Sequence, residues 1–212
     1  MKLIPRCLLV TACLILPLKA AVTLNQVENF AGIHGWITGD PNPNPPTVQT
    51  DSGPLGSGDN SLRVSSNGGS SAGGRLIIFN RSLWTGDYTA AGIVRLSADL
   101  RNNGTTVLSM RVAVNGPGGW FVTTVAPITP FSGWNRQAFD LRPAALISAG
   151  GSNAATTLAA VTELRILHSA TVDFRGARIS SSFLVDNVRA IPEPSAVMVI
   201  MLVGCLLFFR KR

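Results

Sequence analysis

Two short stretches of the sequence place aromatic side chains beside turn residues. Trp84, Asp87 and Tyr88 lie in SLWTGDYTAAG, and Trp120 follows the turn NGPGG. The faces of a sugar ring carry C–H groups that pack against flat aromatic rings, while nearby polar side chains bind its hydroxyl groups. Because loops at strand ends commonly carry binding residues, we expect these four residues to form an exposed sugar-binding platform. The alternative is that Trp84 and Trp120 are half-buried packing residues.

Three carboxylates form a second candidate site. Glu28 lies in QVENF near the start of the chain's central part, Asp59 lies in GSGDNSL, and Asp186 lies in FLVDNV near its end. If the first and last strands pair, Glu28 and Asp186 come together, and carboxylates with loop oxygens are the ligands that Ca²⁺ prefers. A buried Asp186 needs a partner in any case, so an arginine or backbone donors are the alternative to calcium.

Groups for nucleophilic catalysis are scarce. A Ser, Thr or Cys nucleophile needs a base within reach, and residues 22–190 contain two histidines, His34 and His168. His-Glu-x-x-His does not occur. GSSAG at 69–73 has the spacing of Gly-x-Ser-x-Gly, but it lies in a predicted loop before the strand run 75–79 and not between a strand and a helix, as a nucleophilic serine of that motif requires. Most acidic residues lie beside Gly, Asn or Ser in predicted turns, although spacing alone does not exclude a pair of carboxylates for glycoside hydrolysis. We therefore expect no enzymatic activity.

The charge pattern argues against nucleic acid as a partner. The formal net charge is +7, but six of the basic residues lie in the first 21 residues and at the extreme C-terminus. Residues 22–190 hold twelve arginines, ten acidic residues and no lysine, and the arginines are spread singly. A nucleic-acid-binding domain is expected to carry a basic stripe. All three cysteines also lie outside this range, which excludes disulfides and thiolate chemistry from it.

Many short strands must position these residues. Val94, Leu96, Ala98 and Leu100 alternate with polar residues, which is the two-residue period of a strand with one exposed face. Similar runs occur at 61–65, 75–79, 108–114, 120–125, 134–141, 161–168 and 182–190. The sequence predicts an all-β fold, a β-sandwich or jelly roll of eight or more short antiparallel strands.

The segments between the strands are predicted mainly as turns and loops. NNGT, between runs 94–100 and 108–114, predicts a hairpin. Helical turns are expected only at 143–148 and 157–161. The Pro-, Asn- and Gly-rich segment 39–60 and the segment 65–74 are predicted to be loops.

Both ends of the chain have the composition of sorting segments. Residues 1–21 have a cationic start, an apolar middle and small residues at Ala20 and Ala21, which predicts a cleaved secretory signal peptide. The run 195–209 contains fifteen residues without a charge. It would reach about 22 Å as a helix, which is short for a bilayer, but it is apolar all round. We predict a C-terminal transmembrane helix whose basic end marks the cytoplasmic side.

The C-terminal 22 residues resemble the sorting signal of the PEP-CTERM proteins of Gram-negative bacteria. The resemblance rests on a Pro-Glu-Pro motif, an apolar run and a basic end in this order: Pro192, Glu193, Pro194, then Arg210, Lys211, Arg212. Ile191 stands where the family more often has Val. The resemblance implies recognition by an exosortase-type membrane protease, transient anchoring by residues 191–212, and release to the cell surface or extracellular matrix, with an association with biofilm exopolysaccharide.

Residues 22–190 are similar to carbohydrate-binding-module and galactose-binding-like jelly rolls. This second resemblance rests on VENF followed by GW near the start and FLVDNVRAIPEP at the end. The resemblance alone does not identify a ligand. Together with the predicted sorting segments and the candidate aromatic platform, it leads us to expect an exported, noncatalytic protein that binds extracellular polysaccharide. A purely structural matrix protein and a secreted polysaccharide-degrading enzyme remain alternatives.

Overall fold

The computed structural model describes residues 21–193 of the 212-residue chain. Thirteen strands and two single-turn helices form this part of the protein. The strands are β1 (Val27–Glu28), β2 (Trp36–Ile37), β3 (Thr47–Gln49), β4 (Ser61–Asn67), β5 (Ile77–Asn80), β6 (Ile93–Asn102), β7 (Leu108–Asn115), β8 (Phe121–Val122), β9 (Ala126–Ile128), β10 (Asn135–Asp140), β11 (Ile147–Ser148), β12 (Glu163–His168) and β13 (Ser180–Pro192). The helices are a 3₁₀ turn at Pro143–Ala145 and α1 at Ala154–Leu158.

The strands form two antiparallel sheets. In the six-stranded sheet the order is β10-β6-β13-β4-β3, and β1 pairs with β13. In the seven-stranded sheet the order is β11-β8-β7-β12-β5-β2, and β9 pairs with β7. This arrangement confirms the predicted all-β sandwich.

The main core lies between the two sheets. Leu96, Ala98 and Leu100 of β6 lie in it, and so do Leu164 and Ile166 of β12. Full burial of one such aliphatic side chain contributes about 1.5–3 kcal/mol relative to exposure. The alternation that predicts these strands therefore also identifies the faces that pack together.

The hairpin predicted at NNGT is wrong. β6 belongs to the six-stranded sheet and β7 to the seven-stranded sheet, so the segment between them crosses from one sheet to the other. The reason is the fully buried Asn102, whose Nδ2 donates to the carbonyl oxygens of Thr106 at 2.8 Å and Ile128 at 3.1 Å. Its Oδ1 accepts from the Gly104 N–H at 2.9 Å. A buried amide satisfied in this way fixes a connection that turn statistics alone do not distinguish from a hairpin.

The first and last strands meet as expected for a jelly roll. β1 pairs with β13, with Val27 opposite Arg189 and Glu28 opposite Val188. The register of β13 against β6 shifts between Asp186 and Arg189, where Asn187 has a φ of 49°. This irregularity lies beside one of the candidate metal ligands.

Candidate functional site

Trp84 and Tyr88 are not at the surface, so the prediction that they form an exposed platform is wrong. Both side chains are fully buried in the main core. The Trp84 ring lies 6.2 Å from that of Trp36, and the Tyr88 hydroxyl donates to the Trp84 carbonyl oxygen at 3.0 Å. Burial also raises the pKa of Tyr88. Neither ring can stack on a ligand.

Asn80 explains why this loop turns inward. Its side chain is fully buried at the end of β5. Its Oδ1 accepts from the backbone N–H groups of Ser82 and Leu83, both at 2.9 Å, while its Nδ2 donates to the His34 carbonyl oxygen at 3.0 Å. The chain therefore bends directly after β5 and directs Trp84 into the core.

Asp87 stabilises a turn. Its side chain is exposed, and its Oδ1 accepts from the Ala90 N–H at 2.7 Å. Both aromatic residues of SLWTGDYTAAG are buried. Asp87 therefore has no exposed aromatic ring from this segment beside it.

Trp120 is the one residue of the predicted platform whose ring is partly exposed. It lies on the outer face of the seven-stranded sheet and stacks on Phe174, with ring centroids 4.4 Å apart and planes at 6°. The Arg165 guanidinium lies 4.1 Å from the Trp120 ring and 5.5 Å from that of Phe174. The Trp120 indole, the Phe174 ring and the Arg165 guanidinium therefore form one cluster of three flat groups.

A second apolar cluster supports these groups. Strand alternation turns Leu164 and Ile166 into the main core and turns Arg165 and Leu167 of the same strand outward. The buried members on the outer face are Ile77, Phe79, Ala113, Val122 and Leu167, and the partly buried ones include Ile37, Trp120, Ile147, Ala149 and Phe174. We call Phe79, Trp120, Arg165 and Phe174 the aromatic face.

The Arg165 side chain is held rigidly at the centre of the aromatic face. It is 14% exposed, and its Nε donates to Glu163 Oε1 at 2.5 Å. Its Nη1 donates to the Phe174 carbonyl oxygen at 2.9 Å. Burial lowers the pKa of Arg165, while the nearby Glu163 carboxylate raises it. The buried Glu163 also accepts from Arg81 Nε at 2.8 Å, so two guanidinium groups share one carboxylate.

A cleft of about 220 Å³ borders the aromatic face. Ile77, Phe79 and Arg165 form part of its wall, and residues 70–73 form another part. Arg75 and Arg175 also line it. The sequence analysis did not identify Phe79, Arg165 or Phe174 as candidate site residues. One signal for Phe79 was present: β5 has apolar residues at successive positions, which indicates that both faces of this strand are covered.

The three predicted calcium ligands have different partners. Glu28 accepts from the Phe30 N–H at 3.0 Å and lies 2.8 Å from His34 Nδ1. Asp59 accepts from the Leu55 N–H at 2.8 Å. Across residues 21–193, the structure has no group of three or more His, Cys, Asp or Glu side chains that could hold a metal ion. Calcium binding therefore stays a prediction.

Asp186 is the unusual carboxylate of the three. It is fully buried; its Oδ2 accepts from Asn187 Nδ2 at 2.8 Å, and its Oδ1 has no hydrogen-bond partner within the described chain. Neighbouring Asp99 is instead paired with Arg136 through two hydrogen bonds of 2.8 Å. Burial, with repulsion from Asp59 and Asp99, raises the pKa of Asp186 to about 7.

The sorting residues lie at or beyond the end of the described structure. Pro192 is the last residue of β13, and the Glu193 N–H donates to the Gly92 carbonyl oxygen at 3.3 Å. Pro194, Arg210, Lys211 and Arg212 lie outside the described residues, as does the predicted signal peptide except for Ala21. Between residues 21 and 193, no helix is long and apolar enough to span a membrane.

Comparison with known proteins identifies similar folds. No protein-family model and no curated protein matches the chain. The solution structure of CtCBM11 matches with a TM-score of 0.51 and 15% identity, covering 81% of this chain and 96% of that one. The CBM22-1–GH10 modules of xylanase 10B from Clostridium thermocellum match with a TM-score of 0.50 and 14% identity, covering 82% of this chain and 29% of that one.

An exo-β-agarase matches with a TM-score of 0.51 and 11% identity, covering 75% of this chain but 24% of the agarase. This chain thus spans a minor part of the agarase and xylanase chains and nearly the whole of CtCBM11. At these identities the similarity shows the fold alone. The described domain is a β-sandwich of the jelly-roll type found in carbohydrate-binding modules.

The burial of Trp84 predicts a large effect on stability. Trp84→Ala should lower the free energy of unfolding by about 3–5 kcal/mol, because it leaves a cavity in the core. Chemical denaturation of the full-length chain in non-ionic detergent measures this change. Leu55→Ala is the control, because Leu55 is 86% exposed and its truncation should cost less than about 0.5 kcal/mol. An unchanged denaturation midpoint for Trp84→Ala would contradict its position in the core.

The environment of Asp186 predicts a dependence of stability on pH. Its raised pKa means that the protonated form favours folding, so its stabilising contribution is full below about pH 4 and is lost as the pH rises through about 7. In the presence of a chelator, Asp186→Asn should therefore be about 1–3 kcal/mol more stable than the wild type at about pH 8.5, with a smaller difference at about pH 4.5.

Thermal denaturation across this pH range measures the difference, with Asp40→Asn as a control at a largely exposed carboxylate. A difference between wild type and Asp186→Asn that is the same at every pH would contradict this account.

Repeating the measurement with Ca²⁺ tests the predicted ion site. Calcium binding raises the melting temperature of the wild type and not that of Asp186→Asn, and an unchanged wild type would argue against it.

Proposed function

We propose that this protein is exported and that its β-sandwich is a noncatalytic domain that binds extracellular polysaccharide. The observation that carries the proposal is the aromatic face, where the partly exposed Trp120 stacks on Phe174 beside the Arg165 guanidinium. The fold shared with CtCBM11 supports it. The xylanase modules of similar fold are complexed with xylohexaose.

The aromatic face has the chemistry that sugar recognition requires. The partly exposed Trp120 indole provides a flat surface for the C–H face of a sugar ring, Phe174 supports that indole from behind, and the Arg165 guanidinium adds a hydrogen-bond donor beside it. Arg165 is already ordered by Glu163 and by the Phe174 carbonyl oxygen. Little side-chain entropy is then lost on binding.

The bordering cleft extends this surface. Phe79 and Arg165 belong both to the aromatic face and to the wall of the cleft, and the exposed residues Ser70 and Ser71 add hydroxyl groups to its lining. A polysaccharide that stacks on Trp120 can therefore continue past Arg165 into the cleft. Such a continuous surface suits a polymer better than a single sugar.

We propose a noncatalytic domain because the carboxylates required for glycoside hydrolysis do not line this cleft. Hydrolysis uses two carboxyl groups that flank the scissile bond, roughly 5–10 Å apart. The residues that line the cleft include no Asp or Glu. Glu163, the acid beneath the aromatic face, is bound by both Arg81 and Arg165.

Export and sorting through the C-terminal tail complete the proposal. A signal peptide at residues 1–21 directs the chain across the inner membrane, and residues 191–212 anchor it until an exosortase-type protease cleaves near Pro192-Glu193-Pro194. The position of the motif supports this, because it begins where β13 ends. Pro192 ends the last strand and the Glu193 N–H still bonds to Gly92, so cleavage at the C-terminal end of the motif would leave the folded domain whole.

Polysaccharide binding is tested with Trp120→Ala. Loss of the indole should reduce the affinity for a retained polymer at least tenfold, or about 1.4 kcal/mol, because the stacking surface is removed. Affinity electrophoresis and pull-downs on insoluble and bacterial extracellular polysaccharides measure retention of the full-length chain. Phe131→Ala is the matched control, because Phe131 is a 74% exposed aromatic residue that belongs to neither core cluster nor the cleft.

The outcomes separate the alternatives. Unchanged retention of Trp120→Ala would remove the aromatic face as the site. If the folded wild type binds no polymer, the purely structural role in the matrix replaces the binding function. Release of shorter sugars from a polymer would instead indicate an enzyme.

Sorting is tested by replacing Pro192, Glu193 and Pro194 together with Ala. The full-length chain should then accumulate in the inner membrane of a host that carries the protease, because the processing motif is lost. Fractionation and immunoblotting measure its distribution. Replacement of the exposed Thr105, Thr106 and Val107 with Ala is the control. Normal release of the motif variant would overturn the sorting assignment.

A further inference from the structure

We infer that the polysaccharide bound at the aromatic face and cleft is acidic, carrying carboxylate or sulfate groups that pair with the arginines of the cleft. This inference rests on the proposed binding function and adds the chemical class of its ligand. The lining of the cleft includes three arginines, Arg75, Arg165 and Arg175, and no acidic residue.

Two of these arginines lack a carboxylate partner in the described structure. Arg75 Nη1 donates to the Gly176 carbonyl oxygen at 2.7 Å, which leaves its charge unbalanced by this contact. The Arg175 guanidinium lies 5.3 Å from the Phe174 ring and, among residues 21–193, has no ion pair. Arg175 is also exposed, so a ligand can reach it.

The acidic residues around the site are already engaged. Glu163 is shared by Arg81 and Arg165, and Arg81 also lies 3.2 Å from Asp40. Asp173 accepts from the Arg175 backbone N–H at 2.9 Å through Oδ1. Four arginines thus face three carboxylates around the site, and none of the three carboxylates lines the cleft itself.

Guanidinium groups at such a place select for anions. The planar fork of an arginine matches a carboxylate or a sulfate with two parallel hydrogen bonds. At the edge of an apolar surface the effective dielectric constant is lower than in water, so each pair is stronger than at an open surface. A neutral sugar would leave Arg75 and Arg175 without this partner, whereas an acidic sugar supplies it while its ring stacks on the aromatic face.

An acidic glycan fits the site better than a nucleic acid does. The flat groups that would stack a ligand include Phe79, which is 6% exposed, and Phe174, which is already stacked on Trp120. Successive unstacked bases need a series of accessible rings along a basic groove. The site has one partly exposed indole and a short cleft, which suits a sugar and its attached anionic group.

Binding of polygalacturonate and of the same polymer after reduction of its carboxyl groups tests the inference, with κ-carrageenan and agarose as a sulfated and a neutral pair. We expect the full-length protein to bind at least one acidic polymer at least tenfold more tightly than its neutral counterpart. Binding should weaken between about 50 and about 500 mM NaCl, because salt screens exposed charge pairs. Arg175→Gln should remove most of this preference, and Arg75→Gln should reduce it.

Arg101→Gln is the matched control, because Arg101 is an exposed arginine on the other sheet. Its affinity should equal that of the wild type. A circular dichroism spectrum and a melting curve for each variant show that it is folded.

Failure of this inference differs from failure of the binding function. If acidic and neutral polymers bind equally, and Trp120→Ala abolishes both, the domain binds glycans but the acidic ligand class is wrong. If Arg175→Gln and Arg101→Gln reduce binding equally, the cleft is not the source of the preference. Displacement of the polymer by single-stranded DNA, at a DNA phosphate concentration equal to the polymer's concentration of anionic groups, would overturn the choice of a glycan. Retention of no polymer by the folded wild type overturns both proposals.

Discussion

The pairing of Glu163 with two arginines is the interaction on which the candidate site depends. Arg165 is largely buried among aromatic rings, and a buried guanidinium without a counter-charge would be strongly unfavourable. Glu163 lies on the same strand, two residues earlier, and accepts from it at 2.5 Å. Removal of this carboxylate would leave both Arg81 and Arg165 without their shared partner. The cationic centre of the aromatic face therefore exists because β12 supplies its own counter-charge.

That interaction also explains how one strand serves two purposes. Inward residues such as Ile166 hold the two sheets together, while Arg165 and Leu167 support a second cluster on the outside. A sandwich sheet with one wet face needs no apolar cover there. The additional cover at Trp120 and Phe174 is the observation from which we propose that this outer face binds a ligand.

The sequence predicts the strands well and their connections less well. Alternation in β6 and β7 reports local burial, and both strands are present, but alternation does not say to which sheet each belongs. The buried Asn102 determines that the chain crosses between sheets, and its three hydrogen bonds involve atoms up to 26 residues away. At the site, Trp120 could be identified from its position after a turn, whereas the inward direction of Trp84 depends on Asn80. Arg165 and Phe174 could not be paired with Trp120 without the fold, because stacking between distant segments has no sequence period.

The four indole N–H signals of the tryptophans offer the most direct measurement of the central claim, that the outer face of the seven-stranded sheet binds glycan. The protein is labelled with ¹⁵N and titrated with soluble fragments of a polysaccharide that it retains. The account predicts that the Trp120 signal shifts with ligand concentration and saturates, while those of the fully buried Trp36 and Trp84 stay in place. A saturable shift of the Trp134 signal with none at Trp120 would place the ligand elsewhere and contradict the account.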